Sequence, residues 1–242
     1  MNLSQKAYIW LRTEWLSGDT LHDDRVSIST LTSRSGLGRT PVRDAVNRLA
    51  AEGLLETMDR SGIAIRVPST EELREIVGLR EALEPYAAEQ AAARMDYAQA
   101  RRLRGLSRDM VAVARGIRDA GFGDEALHRR MRALDWAFHN LILEAAGNGR
   151  LLRIVEGQHL LSQKVRYPSL RTVRHLALTV LEHERIARAV TRGDGAAARL
   201  WMLRHARRGG NAMLENSRER EGDVPPVRQA RRRRHPTLER SA

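Results

Sequence analysis

Apolar and polar positions follow a helical period over the first fifty or so residues and then alternate one by one up to Val67. The helical period predicts three helices, because apolar side chains that share one helix face recur every three or four residues. These helices are expected at about 3–16, at a short segment capped by Ser29 or Thr30, and at 39–52. The alternation predicts two short strands at about 54–57 and 63–67, joined by a turn at 59–62.

From residue 68 onward the pattern is helical throughout, with no strand-like alternation. Ser69 or Thr70 is a suitable cap for the first helix of this region, because acidic residues follow where the helix dipole favours them. Breaks near residues 121–123, 147–149, 167–168 and 193–195 divide the region into roughly six helices. Pro85 is expected to kink the first of these helices or to mark an exposed bend.

This order of elements predicts a mainly α fold in two parts. An N-terminal winged helix-turn-helix, with a small β-hairpin as its wing, is expected at residues 1–67. An all-α helical bundle is expected at residues 68–217. Residues 218–242 include a pair of prolines and four consecutive arginines but little apolar content, which predicts a basic, disordered tail.

The third predicted helix has two chemically different faces. Val42, Ala45, Val46 and Leu49 fall on one face, and Thr40, Arg43, Asp44 and Asn47 fall on the other, with Arg39 at its edge. Before this helix, Gly36 lies where a tight turn needs a residue without a Cβ atom. A helix with such a polar face, placed between a tight turn and a hairpin, is typical of a DNA-recognition helix.

The net charge of +12 favours polyanionic partners, but it is not concentrated in the predicted DNA-binding part. Residues 1–67 carry 9 basic and 8 acidic side chains, whereas residues 68–216 carry 25 and 18. Bulk charge therefore does not identify the DNA-binding surface. The chain has no cysteine, no uninterrupted apolar run that would span a bilayer and no secretion signal, so we expect a cytoplasmic protein without a membrane partner.

Three histidines and one aspartate lie on apolar faces of predicted helices. Asp135 and His139 are four residues apart and share a face with Ile142, while His183 and His205 each share a face with aliphatic residues of their own helices. A buried carboxylate is costly unless it is paired or binds a metal, so these four residues are candidate ligands of a divalent ion. The alternative is a set of core histidines that backbone carbonyl groups satisfy, and the position of His159 is ambiguous between core and surface.

Two sets of residues resemble a known family. The first is Gly36-Leu37-Gly38-Arg39-Thr40-Pro41-Val42-Arg43-Asp44-Ala45-Val46-Asn47-Arg48-Leu49 with Glu52-Gly53 after it, and it is similar to the core motif of the GntR family of bacterial transcription regulators. The second is Leu79-Arg80-Glu81-Ala82-Leu83-Glu84, Asp135 with Phe138-His139, Glu182-His183 with Ile186, Gly193-Asp194 with Ala197, and His205. This ordered set resembles the FCD ligand-binding domain of the FadR-like branch.

The resemblance implies a homodimer that binds a pseudo-palindromic operator in double-stranded DNA and responds to a small carboxylate. Arg39, Thr40 and Arg43 fall on family DNA contacts, with Asn47 on the same face, and Ser61-Gly62 falls on the wing tip that approaches the minor groove. Asp135, His139, His183 and His205 fall on the family's metal ligands, which implies a divalent ion, with Zn favoured and Ni or Mn as alternatives. Arg80 falls on a position that faces the effector pocket.

The sequence departs from the family pattern at two positions of the DNA-binding part. Gly38 replaces the usual Ser or Thr before the first arginine of the motif, which removes a hydroxyl that caps the helix or contacts phosphate. The basic residue that is often found at the start of the second helix is absent from this chain, and Arg34 is the candidate to supply that charge.

The resulting hypothesis is a repressor that a carboxylic acid, bound at a metal-containing pocket, releases from its operator. Three alternatives stay open at this point. The first is a transcriptional activator of the same fold, and the second is a metal-dependent enzyme on a helical bundle, for which no general base is evident beside the candidate ligands. The third is a nonspecific nucleic-acid protein that uses the arginine run at 231–234.

Overall fold

The structure is a computed structural model that describes residues 1–17, 25–58, 62–121, 123–166 and 172–222. Its elements are α1 (Leu3–Ser17), α2 (Ile28–Ser35), α3 (Arg39–Ala51), β1 (Leu55–Met58), β2 (Gly62–Ile65), α4 (Thr70–Arg94), α5 (Tyr97–Ala120), α6 (Glu125–Ala145), α7 (Gly149–Arg166), α8 (Val173–Thr191) and α9 (Gly195–Gly222). The predicted fold class is confirmed, with three helices and a hairpin followed by six helices in the described part of the chain.

Local backbone chemistry sets the boundaries of the helix-turn-helix. The cap of α2 is Ser27 rather than the predicted Ser29 or Thr30, because its backbone is extended and its Oγ accepts a hydrogen bond from the Thr30 amide at 3.0 Å. Gly36 ends the helix with a φ of 64°, the left-handed conformation that glycine adopts without strain. Below these helices lies a core that includes the four predicted apolar residues of α3, Val42, Ala45, Val46 and Leu49.

The hairpin is antiparallel, with Leu55 opposite Ile65 and Met58 opposite Gly62. Val26 adds a bridge to Ile63, a pairing that the alternating pattern did not predict. Gly62 has a φ of 106°, and a Cβ atom there would lie 3.1 Å from the Val26 carbonyl oxygen. Glycine therefore permits both the backbone conformation and the close approach of this third segment.

Six helices form the second part. Ser69 begins α4 with a capping box, because its Oγ accepts from the Glu72 amide and the Glu72 carboxylate accepts from the Ser69 amide. Pro85 is buried within α4, which continues to Arg94, so it does not mark the exposed bend that was one of the two expectations. Burial of Ala87, Ala88 and Ala91 after the proline gives packing that offsets the missing backbone hydrogen bond.

Helix α9 extends to Gly222, so residues 218–222, which were assigned to a disordered tail, are helical. The segment Ser217-Arg218-Glu219-Arg220-Glu221 contains arginine and glutamate, which are good helix formers, and it follows a long packed helix without a break. The remaining tail, including the arginine run, lies outside the described residues. None of the described helices is both long enough and apolar enough to cross a membrane.

The two parts meet through α1, which packs against α6 and α7. Leu160 and Leu161 of α7 and Ile76 of α4 belong to the same buried cluster as the core of the helix-turn-helix. Arg12 of α1 also forms an ion pair with Glu156 of α7, with 3.2 Å between Nη2 and Oε2. Helix α7 is therefore an element through which the helical bundle contacts the winged helix-turn-helix.

Two adjacent glycines in α9 give a test of how closely this helix packs on α4. A Cβ atom at Gly210 would lie 2.5 Å from the Val77 Cγ1 atom, whereas a Cβ atom at Gly209 would meet nothing within 4 Å. Gly210→Ala is expected to lower the free energy of unfolding by about 1–3 kcal/mol through overpacking. Gly209→Ala is expected to raise it by about 0.5–1 kcal/mol through helix propensity. Urea unfolding of the two variants measures the difference, and equal stabilities would contradict the close contact.

Candidate functional site

One face of α3 presents the predicted DNA-binding residues to solvent. Arg39, Thr40, Arg43 and Asn47 are all exposed. The N-cap residue Gly38 makes no side-chain hydrogen bond to the first turn, so the amide groups at the start of α3 are not capped by a side chain at that position. Exposed arginines beside a helix N-terminus form a surface that suits phosphate groups.

Two charged residues of α3 turn toward α1 instead. Arg48 donates to Glu52 and Gln5 and stacks over the Tyr8 ring, with its guanidinium carbon 3.8 Å from the ring centroid. Asp44, which the period placed on the face of Arg43, accepts a hydrogen bond from the Ser4 hydroxyl at 3.1 Å. Both therefore attach α3 to α1.

The remaining predicted DNA contacts lie outside α3. Arg34 is exposed at the end of α2, and its Nη2 atom lies 3.3 Å from Glu14 Oε2. Gly62 is the first residue of β2, so it lies at the wing tip. Ser61 lies outside the described residues.

The four predicted metal ligands converge at the centre of the helical bundle. Asp135 and His139 come from α6, His183 from α8 and His205 from α9, and each is at most 2 % exposed. One ligand nitrogen from each of the three histidines lies within 4.8 Å of the others. The Asp135 Oδ1 atom is 3.4 Å from His183 Nε2 and 3.9 Å from His139 Nε2. The fold thus brings together residues that are 70 positions apart in the chain.

The donor set fits a divalent cation. The Nε2 atoms of His139 and His183 are 3.3 Å apart. Two bonds of about 2.0–2.1 Å from Zn²⁺ to imidazole nitrogens, meeting at a tetrahedral angle, give a nitrogen–nitrogen separation of about 3.3 Å. Imidazole nitrogens and one carboxylate oxygen are also the donor types that Zn²⁺ and similar transition metals accept.

A carboxylate outside this group orients one of the histidines. His205 Nδ1 lies 2.9 Å from Glu182 Oε2, and Arg208 donates to both Glu182 oxygens at 2.7 Å. Burial disfavours the charged form of Glu182, but the hydrogen bonds from His205 and Arg208 outweigh this and lower its pKa to about 2. Glu182 is therefore ionised, and it directs the other ring nitrogen of His205 toward the cluster.

A second buried group adjoins the first through His139. Glu84 lies 2.6 Å from Arg80 Nε, 3.0 Å from His159 Nε2 and 3.6 Å from His139 Nδ1. Burial raises the pKa of Glu84, but the charges of Arg80 and then His159 overcome it and hold the pKa well below its ordinary value. Arg80, the predicted effector contact, is only 1 % exposed and forms an ion pair with Glu84 inside the protein.

Sequence reasoning assigned no role to Glu84, His159 or Glu182, although each belongs to this centre. Glu84 follows Arg80 by four residues, the spacing that places two side chains side by side on a helix, and this spacing could have identified the pair. Glu182 directly precedes His183 but reaches His205 on another helix, a contact that no local spacing predicts.

Comparison with known proteins agrees with both parts of the fold. Residues 3–65 match the model of the bacterial regulatory proteins of the gntR family, and residues 75–208 match the FCD domain. The chain is 30% identical over 214 residues to the HTH-type transcriptional repressor GlaR of Escherichia coli strain K12, covering 84% of this chain and 91% of that protein. It is 26% identical over 189 residues to the HTH-type transcriptional repressor RspR of the same organism, covering 78% and 76%.

The fold is also shared with a solved structure, E. coli McbR/YncC. That structure superposes with a TM-score of 0.72 at 16% sequence identity and covers 89% of this chain and 98% of its own. A winged helix-turn-helix joined to an FCD domain defines a class of transcription regulators rather than of enzymes. This chain belongs to the gntR family of bacterial regulatory proteins.

The Arg80–Glu84 pair makes a testable contribution to stability. Arg80→Met removes the guanidinium but leaves the Glu84 carboxylate buried, so we expect the free energy of unfolding to fall by about 3–5 kcal/mol. The exposed pair Arg199–Glu89 is the matched control, and Arg199→Met is expected to cost less than about 1 kcal/mol. Urea unfolding measures both variants. A cost at Arg80 no larger than that at Arg199 would show that Glu84 does not depend on this partner.

Proposed function

We propose that this protein is a homodimeric transcriptional repressor that leaves its operator when a small carboxylic acid binds at the buried histidine centre. Its family membership makes it a transcription regulator. Two relatives are named as repressors, which favours repression over activation. The observation that carries the sensing half of the proposal is the convergence of His139, His183 and His205 inside the bundle.

DNA contact is assigned to the exposed face of α3 and to the wing. Arg39 and Arg43 approach guanine edges or phosphates in the major groove, and Thr40 with the uncapped start of α3 holds a phosphate. Asn47 extends the same face, Arg34 approaches the backbone from α2, and Ser61-Gly62 approaches the minor groove. A twofold-symmetric pair of chains would place two such surfaces on the halves of a pseudo-palindromic operator.

The divalent ion is assigned to Asp135, His139, His183 and His205. When bound, such an ion would supply positive charge, and an anionic ligand would be admitted by expansion of its coordination beyond the four protein ligands. The protein's own contribution is to hold the ligands rigidly: Glu182 fixes the ring of His205, and Glu84 lies beside Nδ1 of His139. Zn²⁺ suits the donor types best, with Ni²⁺ and Mn²⁺ as alternatives.

Arg80 is assigned to bind the carboxylate effector. Its guanidinium already pairs with Glu84, so the effector has to replace that pairing in order to bind. An incoming carboxylate would compete with Glu84 for the guanidinium, because both are anions that accept the same paired hydrogen bonds. Displacement of the Glu84 carboxylate would also disturb its hydrogen bond with His159 of α7.

Helix α7 is the proposed route from this centre to the DNA-binding part. His159 faces Glu84, while its neighbours Leu160 and Leu161 pack in the core shared with α1 and α3. Displacement of α7 would therefore change the placement of α1 and, through it, of the recognition helix. An effector that favours one placement over the other shifts the population between DNA-binding and released states.

Loss of one arginine tests the recognition surface. Arg43→Ala is expected to reduce operator affinity about 5- to 150-fold, because a paired base or phosphate contact contributes about 1–3 kcal/mol. The protein should remain folded, since Arg43 is exposed. The measurement is an electrophoretic mobility shift with DNA from upstream of the protein's own gene as the probe. The control is Arg150→Ala, which removes an exposed arginine of α7. Full affinity in the Arg43 variant would rule out α3 as the recognition helix.

Metal content tests the sensing centre. His139→Ala and His205→Ala are each expected to lower the amount of bound metal per chain, and Glu182→Gln to weaken metal affinity about 10- to 100-fold through loss of the carboxylate that orients His205. Elemental analysis and competition with a chelating dye give these values.

The control for these measurements is His175→Ala, which removes a histidine that lies outside the cluster. A screen of small carboxylic acids by thermal shift completes the test, because a stabilising acid should lose its effect when a chelator is added. Unchanged metal content in both histidine variants would refute the proposed site.

A further inference from the structure

A groove between α5 and α8 collects much of the chain's excess positive charge. It encloses about 530 Å³ and is lined by Arg101, Arg104, Arg108, Arg188 and Arg192, with Glu184, Ser107, Ala187 and Thr191 completing its walls. All five arginines are exposed, and Ser107 is buried between them. This volume lies within the range of about 300–1,000 Å³ that is usual for small-ligand sites.

The arginines of the groove are not used elsewhere in the fold. In the described part of the chain, none of the five has an ion pair or a hydrogen bond from its guanidinium group. Five guanidinium groups face one carboxylate, a surplus of four positive charges in one groove. Mutual repulsion makes such a cluster unfavourable without an anion, so its placement along a concave surface indicates a ligand that carries several negative charges.

The same face of α5 carries an aromatic residue at its start. Tyr97, Arg101, Arg104 and Arg108 are spaced at four, three and four residues, which places them in one stripe along the helix. The Tyr97 side chain is 78% exposed, and it lines a second hollow of about 500 Å³ together with Arg101, which also lines the groove. Tyr97 and Arg104 are about 10 Å apart along the helix axis at 1.5 Å per residue.

We propose that this groove binds a nucleotide with two or more phosphates, with its base against Tyr97 and its phosphates among Arg104, Arg108, Arg188 and Arg192. The terminal phosphate of a nucleotide carries about −1.5 to −2 charges and each internal phosphate carries one, so a di- or triphosphate comes close to balancing the surplus of the groove. Guanidinium groups bind phosphate oxygens through paired hydrogen bonds, and an exposed tyrosine ring offers a stacking surface for a base. A DNA duplex fits less well, because its phosphates would be spread over a broad surface rather than gathered between two helices.

Calorimetric titration of the full chain with ATP and GTP tests this site. The titration is run without Mg²⁺, which would cancel two of the nucleotide's negative charges, and the metal content of the chain is measured before and after to show that no ion leaves the histidine centre. We expect saturable binding of one nucleotide per chain for at least one of the two. The double variant Arg104→Ala/Arg188→Ala should weaken it at least tenfold, whereas Arg130→Ala, which removes an exposed arginine of α6, should leave it unchanged.

Tripolyphosphate separates the contribution of the base from that of the phosphates. Tyr97→Ala should weaken nucleotide binding about tenfold while leaving tripolyphosphate affinity unchanged, and Tyr97→Phe should restore nucleotide affinity. Absence of nucleotide binding, or equal binding by the double arginine variant, would overturn the proposal. If the parent binds no nucleotide and the double variant also loses affinity for random-sequence duplex, the groove is a DNA-binding surface instead.

Discussion

The buried carboxylate of Glu84, paired with Arg80 of its own helix and in contact with His159 of α7 and His139 of α6, is the constraint that links three helices of the bundle. Removing two charges from water is costly, and their attraction offsets that cost only when the remaining hydrogen-bonding capacity is used. Glu84 meets this condition by accepting from Arg80 and lying beside His159 and His139, so α4 is tied to α7 and α6 at a defined register. Apolar contacts alone would permit small sliding movements of these helices, whereas the charged group fixes the positions at which its partners meet. The histidine centre is built on this fixed register, because His139 belongs to both groups.

In the function proposed here, the location of the polar centre also determines how effector binding and DNA binding are connected. The residues of α7 face two ways, with His159 toward the charged group and Leu160 and Leu161 toward the core of the helix-turn-helix. Arg12 and Glu156 add an ion pair across the same junction, and Arg48 and Asp44 hold the recognition helix to α1. A rearrangement around Glu84 therefore has a short, packed route to α3. Such a route needs no flexible linker, because each step is a contact between packed side chains.

The parts of the fold that depend on neighbouring residues were predictable from the sequence. The apolar stripe of α3, the turn at Gly36 and the hairpin all follow from spacing over a few residues, and the structure has each of them. Predictions were less accurate where several neighbouring residues satisfy the same local rule. Ser27, Ser29 and Thr30 can all cap a helix, and the extended backbone at Ser27 decided among them. Pro85 suggested a kink or an exposed bend, and its burial within α4 excludes the exposed bend.

The sequence by itself determined the elements, the two-part organisation and the identity of four residues suited to a metal, because helical period and residue chemistry are local properties. Only the tertiary structure decided which charges are neighbours. Glu84 and His159 are 75 residues apart, and Glu182 reaches His205 across 23 residues to another helix. Arg80 shows the difference most clearly: the family resemblance implies a position at the effector pocket, but only the fold shows that Glu84 is its buried partner. A single sequence carries no record of such contacts, because they arise from the packing of whole helices and not from the spacing of residues along one of them.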